Sequence, residues 1–256
     1  MRFGTVVLLA CVVAAPLAAE IPAGERRSDF ELLSPETRAM QSDDTANPGM
    51  LAVLDGEALW NAKAGSAGKS CADCHGDATL SMRGVAARFP RWSAARAGPI
   101  DLAGQIDACR SERQGASAWP VEGPARLAAT AYLAHQSRGM PISPPPDANM
   151  TAVRERGRKL FNARMGQLDL SCAACHDDNW GRRLGGTPIP QAHPVGYPIY
   201  RLEWQSVGSL QRRFRNCLNG VRAEPLAYDA PELIELEAYL MQRAAGLRLE
   251  TPAVRP

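Results

Sequence analysis

A mostly α protein of two tandem, duplicated domains is what this sequence predicts, on three observations. Apolar residues recur at helical spacing, and no convincing alternating strand stands out. The stretch GEALWNAKAGSAGKSCADCH, from Gly56, returns as GRKLFNARMGQLDLSCAACH, from Gly157. A proline-rich connector, RGMPISPPPDAN (138–149), separates the two copies. Gly56 and Gly157, Trp60 and Phe161, Asn61 and Asn162, and Cys71 and Cys172 all stand 101 residues apart; a constant offset over several positions marks internal duplication. Further on, Cys109 and Cys217 are 108 apart and the Tyr-Leu pairs at 132 and 239 are 107 apart, so the register resumes after a small insertion.

The chain opens MRFGTVVLLACVVAAPLAAE, with a basic start, a short apolar run and small residues at Ala18 and Ala19. Residues 1–19 therefore read as a cleaved secretory leader, too short in its apolar run to span a bilayer. Leu8-Leu9-Ala10-Cys11 also resembles a lipid-attachment signal, although the apolar run before Cys11 is very short. No later segment is apolar enough to cross a membrane, so the expected location is the periplasm. Composition places few other constraints: 29 basic against 27 acidic residues give a net charge of +2, no bulk reason to bind nucleic acid or an anionic membrane.

Three consecutive prolines forbid helix, which places the domain boundary there: 20–140 for the first domain and 141–256 for the second. Helices are expected over 51–64, 151–165 and 207–219. Matching helices run from Pro124 to Gly139 and from Pro231 to Gly246, each with proline just inside the start and glycine just past the end. Leu233, Leu236 and Leu240 form a core-facing stripe on the last of these.

Cys71-Ala-Asp-Cys74-His75 and Cys172-Ala-Ala-Cys175-His176 have the spacing for covalent haem c attachment, in which two thiols form thioethers and the histidine ligates iron. A thioredoxin-like pair would want a βαβ setting, and a zinc site would need ligands from elsewhere. Two covalent haem c groups in two cytochrome c-like domains are the expectation. Each iron needs a second ligand, and at equivalent positions only the cysteines repeat: Met140 faces Leu247, Met241 faces Ala134 and His135 faces Gln242 across the duplication. His75 with Cys109, and His176 with Cys217, are therefore the expected axial pairs. A Cys109–Cys217 disulfide, the ordinary fate of spare thiols in an oxidising compartment, is the alternative.

The two cysteines differ in their surroundings. Around Cys109, Asp107 and Glu112 balance Arg110 and Arg113, whereas Cys217 follows Arg212, Arg213 and Arg215. Arg213, four residues before Cys217, shares a helix face with it; the first half has Gln105 there. A guanidinium beside a sulfur favours the thiolate and offers a donor fork to an oxyanion. Arg212 and Arg215 read as a solvated basic face, and Glu224 is a candidate partner for Arg222. His193 is a candidate for the cleft lining or an exposed loop histidine, while Trp92 and Trp180 suit packing.

Two Cys-x-x-Cys-His motifs, a later cysteine in each half and the segment from Arg213 to Pro225 that ends in RAEP together resemble the SoxA family, the dihaem subunits of SoxAX cytochrome complexes in sulfur oxidation. The resemblance spans nearly the whole mature chain. It implies an L-cysteine S-thiosulfotransferase that joins thiosulfate oxidatively to a cysteine of a SoxYZ carrier, with electrons leaving through haem c to a c-type cytochrome acceptor. It further implies that Cys217 is a persulfide-bearing catalytic ligand, that Arg213 binds substrate, and that a SoxX monohaem cytochrome completes a heterodimer. Rival readings are a plain electron-transfer dihaem cytochrome and a thiosulfate dehydrogenase forming tetrathionate. A dihaem peroxidase, which needs an open iron, fits less well.

Overall fold

A computed structural model describes residues 20–256; the expected leader and Cys11 lie outside the described residues. The first half holds α1 (Pro35–Ser42), α2 (Met50–Asn61), α3 (Ala72–His75), α4 (Ala78–Ser81), a hairpin of β1 (Arg91–Ser93) and β2 (Gly98–Ile100), α5 (Leu102–Cys109) and α6 (Pro124–His135). The second holds α7 (Ala148–Asn162), α8 (Cys172–His176), a hairpin of β3 (Arg183–Leu184) and β4 (Thr187–Pro188), β5 (Ile199–Arg201), β6 (Ser206–Gly208), α9 (Leu210–Gly220), α10 (Pro231–Arg243) and β7 (Val254–Arg255).

The duplication appears as one helix crossing made twice, α2 on α6 and α7 on α10. At each crossing the repeated glycine lets two backbones approach. A Cβ on Gly56 would collide with the Ala128 carbonyl and lie 2.5 Å from Tyr132 Cβ; one on Gly157 would collide with the Glu235 carbonyl and lie 2.9 Å from Tyr239 Cβ. The aromatic pairs beside them also correspond, Trp60 with Tyr132 at 6.2 Å and Phe161 with Tyr239 at 5.4 Å between ring centres. Both closing helices end before their expected glycines, at His135 and Arg243, because the chain reverses through Gly139 and Gly246 at positive φ.

Strands are present where none was expected. Each has only two or three residues, too few to show alternation, and their pairing is tertiary: β5 pairs antiparallel with β6 and parallel with the distant β7.

The N-terminal segment also departs from the sequence repeat, since residues 20–47 lie on the second half. Gln191 accepts a hydrogen bond from Arg27 N at 2.7 Å, Asn47 donates to the Pro252 carbonyl at 2.9 Å, and Tyr239 donates to Glu20 at 3.0 Å. Ala86, Ala87, Ala134 and Ile142 of the first half pack against Val195, Met241, Ala244 and Leu249 of the second. Trp92 packs, as expected of it, on the Met150–Val153–Ala238 cluster across this boundary.

Beside that apolar seam is a polar one. Buried Arg126 pairs with Asp107 at 2.7 Å and with Asp229 at 3.1 Å, so one guanidinium spans both halves. Asp101 and Glu237 line a cavity of about 90 Å³ nearby. Burial and then the charge of Asp101 push the Glu237 carboxyl well above the usual range. A raised folded-state pKa makes Glu237 favour the fold fully below its unfolded value of 4.5 and progressively less as pH rises. Glu237→Gln is therefore expected to melt higher than the parent at pH 8 and equally at pH 4, as thermal unfolding would show; melting curves that stay parallel across pH would contradict it.

Candidate functional site: two cysteine–histidine centres

Each Cys-x-x-Cys-His motif is wound into a short helix started by an equivalent serine. Ser70 Oγ accepts from Asp73 N while Asp73 accepts from Ser70 N, a reciprocal cap; Ser171 Oγ accepts from Ala174 N. Each motif's histidine closes its helix. His176 Nδ1 donates to the Pro190 carbonyl at 2.7 Å, which leaves Nε2 as the free lone pair, the tautomer a metal requires.

In the first half Cys71, Cys74, His75 and Cys109 line one cavity of about 420 Å³, walled by Trp60, Ile106 and Leu133 among others. An apolar chamber with two thiols, an imidazole and a further sulfur fits a covalently held porphyrin. Gln105 Nε2 donates to Cys109 Sγ at 3.6 Å and is itself held by Arg91 at 2.7 Å. Met82 lines the same cavity, a residue that the comparison of repeats passed over because it has no counterpart among the equivalent positions considered.

In the second half Cys217 faces His176. Burial would raise its thiol, but the neighbouring His176 and the charge of Arg213 outweigh burial and hold it below the ordinary value. Cys172 behaves oppositely, its thiol pushed up to about 12 by burial and by the neighbouring Cys217. All six described cysteines are free of disulfides; Cys109 neighbours Cys71, and Cys217 neighbours Cys172 and Cys175, so no bridge joins the two halves.

The one-residue change in repeat offset has a structural cause just after Cys109. There α5 runs into a single π turn, Arg110–Gln114, whereas α9 continues as regular α-helix past Cys217 to Gly220. The carbonyls of Gln114 and Val221, 107 apart, then occupy the same place over Gly65 and Gly166, both at positive φ. A π turn absorbs one inserted residue without breaking the helix.

Several expectations about charge are corrected. Asp107 acts on Arg110 only through its charge and is ion-paired to Arg126 instead, and Glu112 reaches Arg96 at 3.9 Å, leaving Arg110 stacked 3.6 Å over Trp119. Arg212 and Arg215 are not a solvated face; both are half-buried, over Trp204 at 4.2 Å and Tyr228 at 4.5 Å. Arg215 also donates to the Leu226 carbonyl. No ion pair joins Arg222 to Glu224 among the described residues. The aromatic platforms arrive from a hairpin and a loop that local sequence does not connect to α9. His193 is not an exposed loop residue: it is 3% exposed, with Nδ1 donating to the Arg27 carbonyl at 2.8 Å, and burial lowers its pKa to about 4. His135 Nδ1 meets the Thr251 carbonyl at 3.2 Å, and Met241 belongs to the interdomain core.

Arg213 stands apart from these arginines: its guanidinium makes no hydrogen bond or ion pair to any described residue. Burial opposes its charge, yet Cys217, Tyr197 and Asp29 together hold its pKa above the usual value. Three surrounding residues carried no signal in the sequence: Asp29 from the N-terminal segment, Tyr197 ahead of β5, and Arg201 within β5.

The family model of the SoxA/TsdA cytochrome c domain matches twice, over residues 55–142 and 156–249. The L-cysteine S-thiosulfotransferase subunit SoxA of Pseudaminobacter salicylatoxidans is 41% identical over 91% of this chain and 82% of its own length. The chain belongs to the SoxA family. Among other SoxA proteins, that of Rhodovulum sulfidophilum is 37% identical over 90% of this chain and 80% of its own. The crystal structure of SoxXA from P. pantotrophus superposes with a TM-score of 0.86 at 32% identity, covering 90% of this chain and 87% of that one. Two tandem cytochrome c domains, mostly helical, are thus the fold of this SoxA-family chain, and haem c is the cofactor of such domains.

Proposed function

We propose that this chain is the L-cysteine S-thiosulfotransferase subunit of a periplasmic sulfur-oxidising complex, and that Cys217 and Arg213 form its reactive site. The observation that carries this is a guanidinium with no hydrogen-bond or ion-pair partner among the described residues, one helical turn before the Cys217 sulfur, where the first half has a neutral glutamine beside Cys109. The chemistry balances as carrier Cys–SH plus S₂O₃²⁻ giving carrier Cys–S–S–SO₃⁻, one proton and two electrons. Arg213 presents its planar donors to the anion's oxygens, while Cys217, sulfur-extended as a persulfide, receives and transfers the sulfur. Two haem c groups, bound through Cys71 and Cys74 with His75 and Cys109 as axial ligands, and through Cys172 and Cys175 with His176 and Cys217, would supply one-electron acceptors.

The partners on this reading are a SoxX-type monohaem cytochrome in a heterodimer, a SoxYZ-type carrier and a c-type cytochrome acceptor. No described helix is long and apolar enough to cross a membrane. Arg213→Lys keeps the charge and loses the fork; thiosulfate KM is expected to rise about tenfold, and Arg213→Ala to lower kcat/KM on the order of a hundredfold. Mass spectrometry of the carrier reads the product as one added thiosulfate unit. Tetrathionate formed without carrier would instead establish the dehydrogenase, and an Arg213 variant with parental kinetics would remove Arg213 from the site. Intact mass of the mature chain counts the haems, and a low-spin His/thiolate resonance spectrum checks the axial ligands.

A further inference from the structure

The β5–β6 hairpin carries a second arginine into the surroundings of Cys217. Arg201 is 8% exposed and sits in the middle strand of the three-stranded sheet. Its register partner on β6 is Ser206, whose hydroxyl is reached by Arg212, the residue before Arg213 on α9. Arg201 and Arg212 also share the Trp204 ring, at 5.0 and 4.2 Å from its centre. Arg201 is thus tied by the sheet and the ring to the start of the helix that carries Arg213. The charges of Arg201 and Arg213 repel each other, and both act on Cys217.

The donors of Arg201 are engaged unequally. Its Nε donates to the Pro256 carbonyl at 2.7 Å, which anchors one edge of the guanidinium. Its Nη2 pairs with Glu203 at 2.8 Å, and the Glu203 side chain is 63% exposed. An ion pair with a solvated carboxylate is weak and readily exchanged for another anion. Arg213, by contrast, forms no ion pair among the described residues, although the charges of Asp29 and Glu203 reach it. Two guanidiniums with one displaceable carboxylate suit a small dianion better than a monoanion, because the second positive charge is cancelled only while Glu203 stays in place.

We propose that Arg201 is a second substrate-binding guanidinium, acting beside Arg213 on the oxygens of thiosulfate, and that Glu203 is the carboxylate the dianion displaces. This rests on the thiosulfate reading above and adds a residue that sets anion affinity and charge preference. The hairpin is pinned on three sides, by Arg212 of α9 on the Trp204 ring, by Pro256 and by β7, as suits a binding cation that has to be held in one place before the anion arrives.

The test uses the haem-loaded complex of this chain with its monohaem partner and the carrier. Glu203→Gln is expected to lower thiosulfate KM about threefold or more with kcat within about twofold of the parent, and Arg201→Lys to raise KM about tenfold. In the Arg201→Lys, Glu203→Gln double variant the gain from Glu203→Gln is expected to shrink by about half or more, since the carboxylate is paired with Arg201 while its charge also reaches Arg213. Calorimetric titration of thiosulfate into the carrier-free complex is expected to rank the variants in the same order. An unchanged KM in Glu203→Gln, an exposed position that decides the matter even if Arg201→Lys fails to fold, overturns the clamp and leaves the proposed function standing. A Glu203→Gln gain undiminished in the double variant is a general field effect and overturns it too. A parent complex that never modifies the carrier overturns the proposed function, and the calorimetric ranking then decides the clamp alone.

Discussion

Cys217→Ala abolishes thiosulfate-dependent modification of the carrier, a fall of at least about a thousandfold, as expected when the group that forms the covalent bond is removed. Alanine is a good helix former, so α9 persists and Arg213 keeps its place. The loss is then chemical: the anion still meets its guanidinium but finds no sulfur. Cys109→Ala is the matched control. Its sulfur is approached by Gln105 and has no arginine in the Arg213 position, so conjugation continues while the resonance signature of the first centre changes. Intact-mass analysis of the carrier after incubation with thiosulfate reads both variants. Full activity in Cys217→Ala would refute the role assigned to this sulfur and return the chain to the electron-transfer reading.

Gly157→Ala is expected to be strongly destabilising for the second half. Within a helix alanine is intrinsically favoured over glycine by about 1 kcal/mol. Here the added Cβ would overlap the Glu235 carbonyl oxygen and press on Tyr239 Cβ, both on α10. Neither neighbour is a flexible chain end, so the helices must separate. Overpacking of this kind costs on the order of 3 kcal/mol. A Tm lower by about 6–12 °C follows for a chain of this size. Gly24, where an added methyl would meet nothing within 4 Å, is the neutral comparison. A Gly157→Ala protein that melts at or above the parent temperature would contradict the helix crossing itself.

The two cases mark how far the sequence could be read. Gly157 was visible as a repeated residue, yet its purpose was not, because repetition records that a position matters without naming what touches it. Cys217 and Arg213 were legible together since four residues make one helical turn, and helix periodicity converts sequence spacing directly into shared orientation. The same logic failed for Arg212 and Arg215, whose aromatic partners Trp204 and Tyr228 come from the hairpin and loop on either side of α9. It failed again for Asp107, whose partner Arg126 lies on α6 and whose bridge continues to Asp229 in the other half.

By itself the amino-acid sequence determined everything written at short range: the two attachment motifs, the duplication with its offsets, the helices, and the asymmetry between Gln105 and Arg213. These are local because helix and motif geometry join residues a few positions apart. Only the tertiary structure decided that residues 20–47 lie across the second half, that a π turn takes up the extra residue after Cys109, that His193 is buried, and that the Arg201–Glu203 ion pair stands near Arg213. Those juxtapositions join segments far apart in the chain, where packing and electrostatics act through space and leave no period in the sequence to read.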